Sequence, residues 1–149
     1  MANNFYLSTG LATALAGSAD MKTVMDLGFI DFYSGPVPAD ADADIGAATL
    51  LTRVSISSGA TGLTLQQDGR QLRKPPGDTW TGLNAATGTA TFYRHVTASD
   101  TGVASTVEER MQGLVGSTNA AEMTLSNVSF VSGQTFALNG YVIEQPTHG

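Results

Sequence analysis

Apolar and polar positions alternate along most of this chain in short runs, cut by Gly, Asp, Asn and Ser. Residues 7–27 break that pattern. Leu11 and Leu15 are spaced for one helical face, Ala12, Ala14 and Ala16 favour a helix, and Ser8 can cap its start. Gly17-Ser18 ends or kinks this piece. A second short turn from Ala19 to Asp26 puts Met21, Val24 and Met25 on one side, with Gly28 where a helix would stop. The apolar stripe reads as core packing, with an arm docked on a neighbouring subunit as the alternative.

Strands are expected from there on. Phe29 to Tyr33 is aromatic and β-branched, with Asp31 at its centre, and Ser34-Gly35-Pro36 breaks it. Thr49 to Ile56 alternates: Leu51, Arg53 and Ser55 face one side, Leu50, Thr52, Val54 and Ile56 the other. Residues 57–62 read as a turn and Leu63 to Gln66 as a short strand. Asp68-Gly69 predicts a hairpin, because its turn positions must tolerate positive φ. Residues 70–84 are the least regular stretch, and Pro75-Pro76 ends any ladder there. From Thr87 the strand pattern resumes, with turns at Ser99–Gly102, Gly116–Asn119 and Ser132-Gly133. Short strands with closely spaced turn signals predict an all-β fold, a jelly-roll-like antiparallel β-sandwich with a short N-terminal helix. The expected organisation is one domain, an arm and helix over 1–28 followed by a β-sandwich over 29–149.

The chain has 149 residues, 42% of them hydrophobic, which is one domain with a sizeable core. It has no cysteine, so disulfides and thiol nucleophiles are excluded. A net charge of -6 with seven basic residues argues against nucleic acid as a partner, since phosphate neutralisation needs a surplus of Lys and Arg. No run approaches the ~18 apolar residues of a membrane span. Met1-Ala2-Asn3-Asn4 lacks the positive n-region of a signal peptide, so synthesis in the cytoplasm without a membrane is expected. Charged residues are only 13%, against roughly 25% in an average domain. Such a surface suits a protein that lies against other proteins.

The residues that carry chemistry elsewhere do not converge here. Asp40, Asp42 and Asp44 alternate like calcium ligands, but Ile45 follows the third acid where a calcium loop needs Gly, and Leu51 stands where its Glu should fall. They read as a solvated acidic loop. His95 and His148 have no second His or carboxylate at ligand spacing. No nucleophile elbow or phosphate loop is present, and Glu108 and Glu109 are adjacent, so on a strand they point to opposite faces. The expectation is a non-enzyme without a cofactor or bound metal.

Two regions are candidate partner contacts. One is the N-terminal segment with Phe5, Tyr6, Leu7 and Leu11. The other is the 70–80 loop, where Arg70, Arg73 and Lys74 form the densest positive cluster of an acidic chain. Trp80, the only tryptophan, lies in that loop as an interface anchor, a sugar platform or a plug over one end of the sandwich.

The order of these elements carries a resemblance. A short helix precedes Phe29-Ile30-Asp31-Phe32-Tyr33-Ser34-Gly35 and the Pro38–Asp42 loop. Then come Leu50-Leu51, Ala90-Thr91-Phe92-Tyr93-Arg94, Gly113-Leu114-Val115-Gly116, Thr124-Leu125-Ser126-Asn127 and the Val131–Gln134 turn. This resembles small structural proteins of tailed bacteriophages, some of them jelly-roll-like capsid cement or decoration proteins. The likeness spans most of the chain and is weakest over 57–88. It rests on turns and strand edges and brings no catalytic residues. It implies a virion protein on the capsid surface, with the major capsid protein and further copies of itself, as dimer or trimer, for partners. The rival expectation is a tail or fibre-associated protein that binds glycans or a receptor.

Overall fold

The computed structural model describes residues 5–118 and 121–144. Their elements are, in order, β1 (Tyr6–Leu7), α1 (Thr9–Ala16), α2 (Met21–Met25), β2 (Phe29–Ser34), β3 (Thr49–Ile56), β4 (Gln66–Asp68), β5 (Gln71–Arg73), β6 (Trp80–Leu83), β7 (Gly88–Thr89), β8 (Phe92–Val96), β9 (Arg110–Gly116), β10 (Met123–Thr124), β11 (Ser129–Phe130), β12 (Thr135–Ala137) and β13 (Val142–Glu144). An eight-stranded sheet runs β1-β9-β8-β2-β3-β6-β12, with β10 also paired to β9. Its neighbours are antiparallel, except that β10 runs parallel to β9. Two small antiparallel sheets, β11-β7 and β13-β5-β4, complete the strands. The expected antiparallel β class with a short N-terminal helix is therefore observed. The arrangement is compatible with a β-sandwich and does not confirm a jelly-roll strand order.

One face of the large sheet makes the core. Ile30 and Phe32, two apart on β2, share that face. They cluster with Val54, Trp80 and Met111 of neighbouring strands. Leu11 and Met25 from the helices, Leu72 from β5 and Phe130 from β11 close over them. Phe32, Phe130 and Phe136 form an aromatic triad with ring centroids 4.8–5.7 Å apart. The helix thus packs on its own sheet, as its apolar stripe predicts.

Local chemistry explains the ends of the elements. Ser8 caps α1 by accepting from the Leu11 N–H, and Asp20 caps α2 by accepting from Thr23. The chain leaves α2 through Leu27, which takes φ 65°, so the left-handed residue is Leu27 and not Gly28. Gly28 is small for another reason: a Cβ there would lie 2.2 Å from the Val96 carbonyl oxygen. The hairpin expected at Asp68-Gly69 forms one residue later. Asp68 pairs with Gln71, leaving Gly69 and Arg70 at the tip, with Gly69 at φ 60°. In β3 the register shifts against β2, because Phe32 faces Thr52 while Tyr33 faces Leu50. Leu51 is the extra residue of this bulge. The shift breaks the expected alternation and lets both Leu51 and Thr52 be buried.

Gly28→Ala tests the close approach of α2 to β8. Overpacking against backbone that cannot retreat is expected to cost about 1–3 kcal/mol in a denaturant titration. A wild-type midpoint would show that the two segments separate freely.

Candidate functional site

The second face of the large sheet carries a polar band between two apolar ends, Phe29 with Val96 and Tyr33 stacked on Phe92, and two long loops are strapped across it. Asp31 of β2 stands between Arg53 of β3 and Arg94 of β8, and Arg94 stands opposite Gln112 of β9. Arg53 grips Asp31 through two bonds of 2.7 Å, and its guanidinium lies 4.8 Å from the Phe29 ring centroid. Burial pushes the Asp31 carboxyl above its ordinary value against the opposing pull of Arg53, while the bond to Asp31 holds the Arg53 guanidinium more firmly protonated.

Arg110 opens β9 and is fully buried. Its Nε and Nη2 donate to the two oxygens of Asp100, which is buried with it. Its remaining donors reach Ala41 O (3.1 Å) and Val103 O (2.6 Å). Arg94 donates to Gln112 Oε1, Asp40 O and Ala43 O, and Gln112 donates to Pro38 O. Arg94 and Arg110 therefore satisfy the carbonyls of Asp40, Ala41 and Ala43, and Gln112 that of Pro38. Burial, followed by the charge of Arg110, pulls the Arg94 guanidinium below its ordinary value.

The acids of the 40–44 run face inward to their own loop and to the helix. Asp40 accepts from the N–H groups of Asp42 and Ala43, and Asp44 accepts from Gly46. Asp42 accepts from the N–H and the hydroxyl of Thr9, the first residue of α1. Among the described residues no group of three or more His, Asp or Glu side chains is placed to hold a metal. No helix among them is long and apolar enough to cross a membrane.

The N-terminal segment joins this seam through Ser8. The Ser8 hydroxyl donates to Glu108 O and accepts from Arg110 N–H, and the Ser8 N–H donates to Arg110 O. Tyr6 and Leu7 lie against Gln112 and Met111 as the outer strand of the sheet. Phe5 and Tyr6 are half-buried, Leu7 is 39% exposed, and Leu11 is fully buried in the core. Leu11 is therefore a packing residue and presents nothing to a partner. Sequence reasoning missed exposed apolar residues in the loop before β9, Val103 and Val107 at 54% and 77%, as it did Leu27, Leu83 and Val142 elsewhere on the surface. Gly10 packs against the Val107 backbone, where a Cβ would meet the carbonyl oxygen at 2.3 Å.

The 70–80 region differs more from its expectation. Arg70 pairs with Glu144 and Arg73 with Asp68, both at the surface. Lys74 folds back on the carbonyls of Pro75 and Asp78. The positive cluster is thus largely answered by its own surroundings. Trp80 is only 1% exposed, on strand β6, with its ring 5.8 Å from Tyr141. It plugs the core and is neither a sugar platform nor an exposed anchor. Ser57 N–H donates to Thr79 O, and Leu138 N–H to Trp80 O, so a stretch rich in Pro and Gly still enters the sheet.

His95 is also a core residue. Its Nδ1 lies 3.0 Å from the Tyr141 hydroxyl, and the two rings are 5.5 Å apart. Burial lowers its pKa from 6.5 to about 4, against weaker opposing effects of the Met25 carbonyl and Asp26. His148 and Asn119 lie outside the described residues.

No protein-family model, curated protein or solved structure matches this chain. The site must be read from its own geometry. That geometry is a rigid sheet whose charged residues are turned inward to hold loops, beside a rim that leaves apolar side chains in solvent.

Two measurements test this account. Asp100→Asn leaves the Arg110 charge buried without its partner, so a loss of about 3–5 kcal/mol in denaturant titration is expected. A loss below about 1 kcal/mol would show that Arg110 does not depend on Asp100. For His95, the unfolded imidazole takes its proton near pH 6.5 and the folded one only near 4. Stability is therefore full above pH 6.5 and falls as the pH drops towards 4. His95→Gln should flatten the melting temperature between those pH values, and an unchanged slope would show that another group is responsible.

Proposed function

We propose that this chain is a structural protein of a tailed-bacteriophage virion. In this reading it is a capsid decoration or cement protein that binds the mature head lattice and stabilises it. The order of its turns and strands resembles such proteins. One structural observation carries the reading furthest: Leu7, Val103 and Val107 are held in solvent on segments clamped by Arg110 and Ser8. Apolar side chains on immobilised backbone lose little entropy when a partner covers them.

A lattice-binding protein stabilises only the shell state that it binds, in proportion to RT ln(1 + [L]/Kd). Many weak sites acting together raise the effective affinity. A dimer or trimer would match the symmetry axes of the shell. The major capsid protein is the partner in this reading. The rival, a tail or fibre module that stacks sugar on Trp80, loses its platform because that ring is buried.

The test begins with purified particles separated into heads and tails, each searched for this chain by mass spectrometry. High copy number in heads is expected; presence only in tails, or absence from both, overturns the reading. Purified chain added to bare expanded heads then tests the surface. Leu7→Ser with Val107→Ser should weaken binding by about tenfold or more, the loss expected when buried apolar area is forfeited at two positions. Reversing Arg70 and Arg73, which already have acidic partners, should weaken it less. The opposite ranking would move the interface to the β4–β5 hairpin.

A further inference from the structure

Six asparagines occur in the chain, and only Asn139 is followed by glycine. The pair lies between β12 and β13, outside any strand, and both residues are exposed. Asn139 makes no side-chain hydrogen bond among the described residues, and the Gly140 N–H finds no acceptor among them. A Cβ built on Gly140 would meet nothing within 4 Å, so no neighbour confines the residue. The other described asparagines are held. Asn84 is buried, and its Nδ2 donates to Val131 O at 3.1 Å. Asn127 Oδ1 accepts from the Ser129 N–H at 2.9 Å. Ala85 and Val128 follow them, and a Cβ there crowds the approach to the next nitrogen.

These freedoms matter because the nitrogen of the following residue can attack an Asn side chain. The two groups are already tethered, so the reaction is intramolecular and closes an unstrained five-membered ring. A free side chain can turn its amide carbon towards that nitrogen. Glycine, lacking Cβ, lets the backbone reach the angles that ring closure needs. An N–H without an acceptor can give its proton to base in solvent.

The same stretch is fixed at both ends. Leu138 is buried, and its N–H donates to Trp80 O at 2.9 Å. Tyr141 is buried, its carbonyl accepts from the Lys74 N–H at 3.0 Å, and its hydroxyl lies 3.0 Å from His95 Nδ1. Only the two residues between these anchors are loose. Beside them lies an open hollow of about 420 Å³ with Arg73 and Lys74 in its wall. Nearby cations favour an acidic product.

We propose that Asn139-Gly140 is a self-modifying site that converts with time to isoaspartate and aspartate. Hydroxide takes the proton of the Gly140 nitrogen, which attacks Asn139 Cγ. The N–Cγ bond forms, the Cγ–Nδ2 bond breaks, and Nδ2 leaves as ammonia with a proton from water. The product is a cyclic imide, which water opens at either carbonyl. Addition at Cγ breaks the new bond and leaves aspartate. Addition at the main-chain carbonyl carbon breaks the original peptide bond and leaves isoaspartate, whose chain runs through Cβ and Cγ. Either product adds one negative charge to a chain of net charge -6. Isoaspartate also lengthens the backbone by one carbon between Leu138 and Tyr141, and so pulls on both anchors. The site does not depend on the virion reading.

The test incubates the folded full chain in mildly alkaline and mildly acidic buffer and maps amide loss by peptide mass spectrometry. Isoaspartate is scored by enzymatic methylation. Loss should be fastest at Asn139, faster in the alkaline buffer, and should yield isoaspartate together with aspartate. Gly140→Ala should slow it by about tenfold or more, because a Cβ hinders ring closure. That variant should melt at the wild-type temperature, since its Cβ has room and its φ is not left-handed. Asn139→Asp carries the charge without the longer backbone and should melt near wild type, whereas the purified isoaspartate form should melt lower. Loss no faster at Asn139 than at Asn84 or Asn127, an unslowed Gly140→Ala variant, or aspartate without isoaspartate would each overturn the proposal. An isoaspartate form that melts at the wild-type temperature would overturn the strain on the anchors.

Discussion

The fold depends on the buried pair of Arg110 and Asp100. Removing two charges from water is expensive, and mutual attraction alone rarely offsets it. Here the cost is spread over more bonds. Arg110 also donates to Ala41 O and Val103 O, so one guanidinium satisfies carbonyls from both loops that cover the polar face. Those loops have no ladder of their own. Without Arg110 and Arg94 their inward carbonyls would meet a sheet that offers few donors, and unpaired buried carbonyls would open the strap to water. The strap in turn reaches the helix, because Asp42 receives the first N–H of α1, where the helix dipole favours an acid. A single buried contact thus couples the sheet, both loops and the N-terminal arm.

The two faces of the sheet do different work as a result. The core face is apolar and holds the helices and the small β sheets by area buried. The polar face holds irregular chain by directed bonds, which fix position more sharply than apolar contact does. That difference matters at the rim. Leu7 and Val107 stay exposed because the backbone that carries them is fixed: Ser8 bridges Glu108 and Arg110, and Gly10 lets α1 sit on the Val107 backbone. A looser loop could fold such side chains inward.

Much of the strand pattern was legible in the sequence, since β2 and β3 fall within a residue of where alternation puts them. The helix cap at Ser8 was legible for the same reason, because a hydroxyl before an Ala-rich run has one obvious use. The 70–80 region was not. Its Pro and Gly content signals a loop, and the propensity of Trp80 for a strand is decided by distant partners, Ser57 and Leu138, that no local window contains. The polar face was missed because cations within strands read as solvent-facing positions. One local sign did exist: Asp31 sits in the middle of a strand flanked by aromatics, and a carboxylate there needs a cation on a neighbouring strand. The register that makes Arg53 and Arg94 its neighbours becomes visible only when the strand order is known.

The alternating acids at 40–44 show how the same residues serve opposite purposes. Converging outward, they would bind a cation; turned inward, Asp40 and Asp44 end local turns by accepting backbone N–H groups, and Asp42 holds the start of α1. Ala41, fully buried between Asp40 and Asp42, gives its carbonyl to Arg110 at 3.1 Å. Its small side chain lets the loop lie close on the sheet, within reach of Arg110. The loop's acids are then committed to the chain itself, and so are most of the cations. In the proposed role, what the β1 side offers a partner is mainly apolar, Leu7 and Val107. Recognition in that role would rest mainly on shape and apolar burial. Asp20, Asp44 and Glu109 have no ion pair among the described residues, so binding at the rim should keep a salt dependence set by this uncompensated negative charge.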